Sequence, residues 1–445
     1  MRYNFARIAI LAVVLAGAAL PAAMAAPAGQ QIAFEEVLAK LRATEPAARI
    51  DALNLLAQAG YLEGAPPALS LLRDPVPEVQ VAAMDTLLSL YLADEDYTRK
   101  FGADVISQKG ASLPLLAFAQ GGGQLVPNTY PPDLIRGLVA CLNSSVTSVR
   151  FNAAYTLGVF GPYAARKGAF PDGRAAVDAL TAMARDSDPL IRLAATQVLG
   201  RLYDAAFKNE SGNADLMGRR IDAGDQVISG INDADSFVKH ACIKAVGEMR
   251  LDRGIQSLID YASYYKSGGV AQQAYESLGR IGHASALPAL FEALGSRDER
   301  IRATAVAGIG RIGDKRSIYD METRVTKDRS QAVKLALAFS RVRNGDLSQI
   351  AVLVEGFKKD ALAASTFDYL LDLGSSVAGA LAPVATHSDM KVRAGVAEVL
   401  GSIGNEQSVF VVQSLSRDKT RLVSGAGLRS VKRLSPRPPN APRLM

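Results

Sequence analysis

The chain reads as an all-α fold, specifically an α-solenoid: a superhelical array of antiparallel helix pairs. Three observations predict it. Hydrophobic residues make up 49% of the 445 residues, yet only 6% are aromatic and Trp is absent, so the core is built from Ala, Leu, Val and Ile, which let helices pack closely. A short pattern recurs down the sequence, in which an apolar residue and a basic residue are followed by Ala three later, Leu or Ile seven later and Gly eight later. The basic positions of the most regular copies lie 31 or 32 residues apart, room for two helices and their turns. A period of that size marks stacked units that share one core.

Val149-Arg150 leads to Ala153, Leu157 and Gly158, and Ile191-Arg192 leads to Ala195, Leu199 and Gly200. Val238-Lys239 leads to Cys242, Val246 and Gly247, and Val270-Ala271 to Ala274, Leu278 and Gly279. Ile301-Arg302 leads to Ala305, Ile309 and Gly310, and Val392-Arg393 to Val396, Leu400 and Gly401. Degenerate copies begin at Arg49 and Val79-Gln80, two blurred ones are implied near 332 and 363, and a last runs near Val423 to Val431. Counted from the basic position, offsets −1, +3, +7 and +10 trace one helical face. A second amphipathic helix fills the rest of each unit, as in Ser285 to Leu294, with Pro288 in its first turn, where the missing N–H costs little. The array spans residues 26–435 with about 10 to 12 units. Irregular insertions fall near 95–135 and 203–225, and the steps from 150 to 192 and from 192 to 239 lengthen to 42 and 47.

The ends read differently. Arg2 and Arg7, the apolar run Ile8 to Leu20 and Ala23-Met24-Ala25 compose a secretory signal peptide over residues 1–25. The run is too short for a bilayer span, so the sequence predicts an exported protein, periplasmic or secreted. Residues 436–445 form a Pro-rich basic tail predicted to be extended and mobile. Net charge is +6, but residues 296–445 carry +9 and residues 26–295 carry −5, an asymmetry that suits peripheral contact of the C-terminal third with an anionic envelope surface.

Units of the form D-x-x-x-V-R-x-x-A-x-x-x-L-G-x-I-G-D, seen best in Arg300 to Asp314 and Met390 to Asn405, resemble HEAT repeats of the short bacterial kind, similar to those of phycobilin lyases. The resemblance covers residues 45 to 435 and implies a superhelix whose second helices line a concave face.

Motifs that carry chemistry elsewhere find structural uses here. Gly308, Gly310 and Gly313 spell G-x-G-x-x-G, but the run before them is Ala-rich and helical, whereas a dinucleotide fingerprint needs a strand there. Gly310 instead permits close approach of the neighbouring helix and Gly313 ends its own, with Asp314, His283 and Asn405 placed to cap the next helices. Ser236 to Lys239 and Ser416 to Lys419 match S-x-x-K without the S-D-N and K-T-G elements that β-lactamase chemistry needs, and read as capping serines. Cys141 and Cys242 lie about three units apart, too far for a disulfide, and read as buried thiols. His240, His283 and His387 fall in different units, so no metal site or cofactor is expected. A Trp-free exported chain also fits nucleic acid badly. Arg150, Arg192, Arg302 and Arg393 recur at one position and predict a ladder of bonds between units.

What remains is surface. Offsets +5 and +9 point away from the apolar stripe, and they carry Asp85, Tyr155, Gln197, Lys244, Glu276 and Glu398, then Arg201, Glu248, Arg280 and Arg311. Tyr155, Gln197, Arg201, Lys244, Glu248, Glu276, Arg280 and Arg311 are the candidate partner-binding residues. The expected function is a non-enzymatic scaffold that holds a protein or peptide along the concave face. The alternative is a chromophore- or ligand-handling factor, lyase-like, with a pocket at the irregular units.

Overall fold

The computed structural model describes residues 34–434 except 61, 92–111, 120–130, 167, 169, 208–212 and 405. The expected signal peptide and basic tail lie outside the described residues, as does Asn405. Every regular element among the described residues is helical. Eleven helices carry the repeated pattern or its blurred copies: α1 (Pro46–Ala59), α2 (Pro77–Tyr91), α3 (Thr147–Arg166), α4 (Pro189–Ala206), α5 (Ser236–Glu248), α6 (Gly268–Ile281), α7 (Glu299–Ile312), α8 (Gln331–Arg343), α9 (Asp360–Leu373), α10 (Met390–Ile403) and α11 (Arg421–Leu434). Each follows a partner helix, such as Gly173–Met183 before α4, Ile255–Tyr265 before α6 and Glu406–Leu415 before α11.

Local chemistry sets where these helices begin and end. Asp188, Asp235, Asp298, Ser330 and Asp389 precede α4, α5, α7, α8 and α10, and each side chain accepts a bond from an N–H of the first turn. Asp314 caps a partner helix in the same way, as the sequence predicted, and His283, placed by the sequence at the equivalent position, also accepts a first-turn N–H. Ser236 and Ser416 do not. Asp235 takes the capping position and leaves Ser236 as the first residue of α5, while the Ser416 hydroxyl donates to the Gln413 carbonyl beyond a helix end. Gly313 closes α7 at φ 77°, a backbone shape that costs glycine nothing.

The apolar stripe then fixes the packing. In α7, Ile301, Ala305 and Ile309 are buried, and the equivalent residues of the units up to α10 join one continuous core, while Val423 of α11 packs in a smaller cluster with Ala394, Ala397, Leu415 and Ala426. Cys141 and Cys242 lie within the continuous core as free, buried thiols. Consecutive pattern-bearing helices pack directly on one another, α3 on α4, α4 on α5, and onward to α8, whereas successive partner helices meet far less. The row with the closer spacing lies on the inside of the bend, so α3 to α8 line the inner face, and α9 joins it through Asp372, which pairs with Arg311 and Arg343.

Glycine makes that spacing attainable. The +8 residue of one inner helix meets the +6 residue of the next: Gly200 faces Ala245, Gly247 faces Ser277, Gly279 faces Gly308, Gly310 faces Ser340 and Gly401 faces Ser430. A Cβ on Gly279 would sit 2.6 Å from the Gly308 Cα, a contact that no side-chain adjustment relieves. The nucleotide-like phrase around Gly308 is therefore a helix crossing.

The recurrent arginines form the expected ladder. Arg302 donates through Nη1 to the carbonyls of Ser296 and Arg297 and pairs with Asp328 of the next unit at 2.7 Å. Arg49–Asp74, Arg150–Asp186, Arg192–Asp233 and Arg393–Asp418 repeat the arrangement at 2.8 to 2.9 Å. Each aspartate also accepts a bond from the backbone N–H two residues on, as Asp328 does from Ser330, so one carboxylate ties a turn and a neighbouring unit together. The guanidinium partners hold Asp233, Asp328 and Asp418 below the usual carboxylate range. Gln80 keeps only the bond to the Asp74 carbonyl, and Ala271 contributes no rung.

These rungs are mostly but not wholly desolvated, between exposed pairs worth under about 1 kcal/mol and buried ones whose breakage costs about 3 to 5. Arg302→Ala is therefore expected to lower stability by about 2 kcal/mol in urea unfolding followed by circular dichroism. Arg302→Lys keeps the charge but not the planar fork, and recovers less than half of that.

Candidate functional site

With the inner helices in register, +5 and +9 fall in rows along the inner face. The structure brings most of the sequence-selected residues together there, in two stretches with different character.

Over α3 and α4 the face is covered. A short helix from the first insertion, Leu113–Ala119, packs against α2 and α3. Its Phe118 ring lies over Gly158 and 5.0 Å from the Tyr155 ring, and the Arg201 guanidinium stacks on Phe118 at 3.5 Å while donating to its carbonyl oxygen. Tyr155 is consequently 1% exposed, its hydroxyl donating to Gln197 Oε1 at 3.1 Å. Burial lowers the Arg201 pKa to about 10. Tyr155 and Arg201 thus anchor a segment of their own chain, Tyr155 fully buried and Arg201 occupied by Phe118.

From α5 to α9 no such helix intervenes among the described residues, and the face is a charge network. Lys244 pairs with Glu248 at 3.4 Å and Arg280 with Glu276 at 3.1 Å, both one helical turn apart. Other bonds span the curvature. Arg280 reaches Asp204 of α4 at 3.6 Å, past α5, and Arg311 reaches Asp372 of α9 at 2.7 Å, past α8. Arg343 shares Asp372 at 3.5 Å. Burial pushes Asp372 upward, but Arg311 and Arg343 outweigh it and hold the carboxyl below its ordinary range. Asp368 is raised by burial and by Glu276. From α5 to α9, Lys244, Arg280, Arg311 and Arg343 thus stand against Glu248, Glu276, Asp368 and Asp372, four charges of each sign.

Asp368 and Asp372 escaped the sequence reading although the signal was there, since +5 and +9 from the blurred unit at 363 are these two positions. Arg343 was missed because that reading placed the α8 unit near 332, whereas Gly310 meeting Ser340 sets its reference position at Lys334. Phe118 carries no repeat signal at all.

Asp85 of α2, also at +5, stands apart. One carboxylate oxygen is buried without a hydrogen-bond partner, and burial raises the pKa to about 7. No group of three or more His, Cys, Asp or Glu side chains among the described residues is arranged to hold a metal ion.

These features define the class of protein: an α-solenoid with an open, charge-balanced inner face. Residues 265–340 match the family model described as HEAT repeats, so the chain contains HEAT repeats there, and helix pairs continue on both sides of that stretch. Among solved structures the chain is similar to an engineered protein at 16% identity, covering 90% of this chain and 98% of that one with a TM-score of 0.46. It is also similar to the CpcE and CpcF complex of phycocyanin lyase from Nostoc sp., at 19% identity with 67% and 97% covered and a TM-score of 0.36. A designed armadillo repeat protein follows at 16% identity, 63% and 100% covered, TM-score 0.35. No curated protein matches.

Asp85 yields a pH-dependent expectation. A carboxyl whose folded pKa is raised stabilises the fold while protonated, and that contribution is lost as pH rises from about 4 to about 7. Asp85→Asn is expected to be more stable than the parent at pH 8, by on the order of 2 kcal/mol, with the advantage fading near pH 4 in thermal melts.

Proposed function

We propose that this protein is a non-enzymatic scaffold of the cell envelope, exported by its N-terminal signal, which holds a segment of another polypeptide along the inner face from α5 to α9. The observation that carries this reading is the helix Leu113–Ala119. It lies on the same face over α3, with an aromatic ring on a glycine and an arginine stacked on that ring, so the groove accommodates a short helix within its own chain. Further along, equal numbers of acids and bases suit a polypeptide with charges of both signs and disfavour a uniform polyanion, which the carboxylates would repel. Solenoid faces spread such recognition over many units.

A photo-crosslinking amino acid in place of Lys244, on the inner face, is expected to capture a discrete polypeptide from the native envelope. The same group in place of Tyr264, exposed on a partner helix, is expected to capture none. Glu276→Lys combined with Arg280→Glu keeps their mutual pair but reverses the pattern, and is expected to abolish the crosslink at position 244. Identical capture at both positions would remove the inner face from consideration.

A further inference from the structure

At its C-terminal end the described array stops with one helix face uncovered. Inside the array, positions +1, +4 and +8 of an inner helix meet the following unit: in α7, Ala303 and Val306 are buried and Gly310 receives Ser340. The contact of Gly401 with Ser430 sets Ser424 as the reference position of α11, so the corresponding residues are Gly425, Leu428 and Lys432. With Arg421 they form one line along the helix, at the spacing of a single helical face. Leu428 is 54% exposed, and Leu422, next to Arg421 at the start of the helix, 49%. A long cationic side chain, Lys432, stands where α4 to α7 and α10 carry the glycine that meets the next inner helix.

The charge around this face is of one sign. Arg417, Lys419, Arg421 and Lys432 are exposed, and none forms an ion pair among the described residues. Asp418 is the one carboxylate in residues 407–434, and Arg393 holds it. Glu398 of α10 is held by Arg429 and Arg433.

We propose that this end of the solenoid docks on an anionic lipid bilayer, Leu428 and Leu422 entering the headgroup layer while Arg417, Lys419, Arg421 and Lys432 meet lipid phosphates. Protruding leucines set between unpaired cations match an interface that is apolar beneath and anionic at its surface. A soluble polyanion would use the cations and leave the leucines idle. A second copy docked face to face would bring like charges together. The inference does not depend on the inner-face reading, because it concerns a different surface and a different class of partner.

The test is flotation of the full chain with phosphatidylcholine vesicles, with and without phosphatidylglycerol. Binding is expected only with the anionic lipid and is expected to weaken as salt rises. Each surface cation contributes on the order of fivefold, so Lys419→Glu with Arg421→Glu should cut binding by more than about tenfold. Leu428→Ser should cut it by about tenfold and Leu428→Phe should preserve it. All these positions are exposed, so melting temperatures should match the parent. Lys432→Gln supplies a milder variant should either charge reversal disturb folding. Equal flotation on neutral vesicles, or none on anionic ones, overturns the proposal. So does sensitivity to the cations without sensitivity to Leu428, which indicates a polyanion, or a dimer in sedimentation that Leu428→Ser dissociates, which indicates a second copy.

Discussion

The structure depends on how closely successive inner helices approach, and from α4 to α7 and at α10 a glycine at +8 sets that distance. Where Gly279 meets Gly308 the two backbones are in contact, which draws the inner row tighter than the outer row and bends the array toward it. The bend explains how side chains at +9 reach two helices along, as Arg311 does to Asp372 and Arg280 to Asp204.

Two charge systems coexist on this frame, and their differences indicate their uses. The rungs at the turns use the same pair, Arg to Asp, in unit after unit, each arginine also binding two carbonyls of its own turn. Such repetition carries no information about a partner; it aligns one unit on the next. The inner face changes from helix to helix: Gln197 with Arg201, Lys244 with Glu248, Glu276 with Arg280, Asp368 with Asp372. Variation on a fixed lattice of positions is what selective recognition of an extended segment requires.

Much of this was legible in the sequence because repeats average out local ambiguity. The glycine positions, the arginine ladder, the caps at Asp314 and His283 and the two-helix unit all follow from one pattern repeated many times. The inner-face rows followed as well, from simple offsets, wherever the reference position was sharp. They blurred at α8 and α9, where Lys334 and Ala363 stand at the reference position and the pattern loses its Arg and Gly. What periodicity could not reveal is the placement of residues outside the repeat. The Leu113–Ala119 helix comes from an insertion, and its seat on α3 buries Tyr155 and occupies Arg201, two residues that the offsets alone would assign to a free surface. Asp235 taking the cap ahead of Ser236 is a smaller case, because two adjacent polar residues compete for one role and the carboxylate accepts two backbone bonds there.

The central claim is that inner-helix contact at the glycine position holds neighbouring units together and transmits little further. Amide hydrogen exchange on Gly279→Ala tests it most directly. Alanine improves helix propensity by about 1 kcal/mol, yet the clash with Gly308 is expected to outweigh that gain. The account predicts faster exchange in α6 and α7, with α1, α2, α10 and α11 unchanged from the parent. Slower exchange in α6, or acceleration spread evenly over all the inner helices, would contradict it.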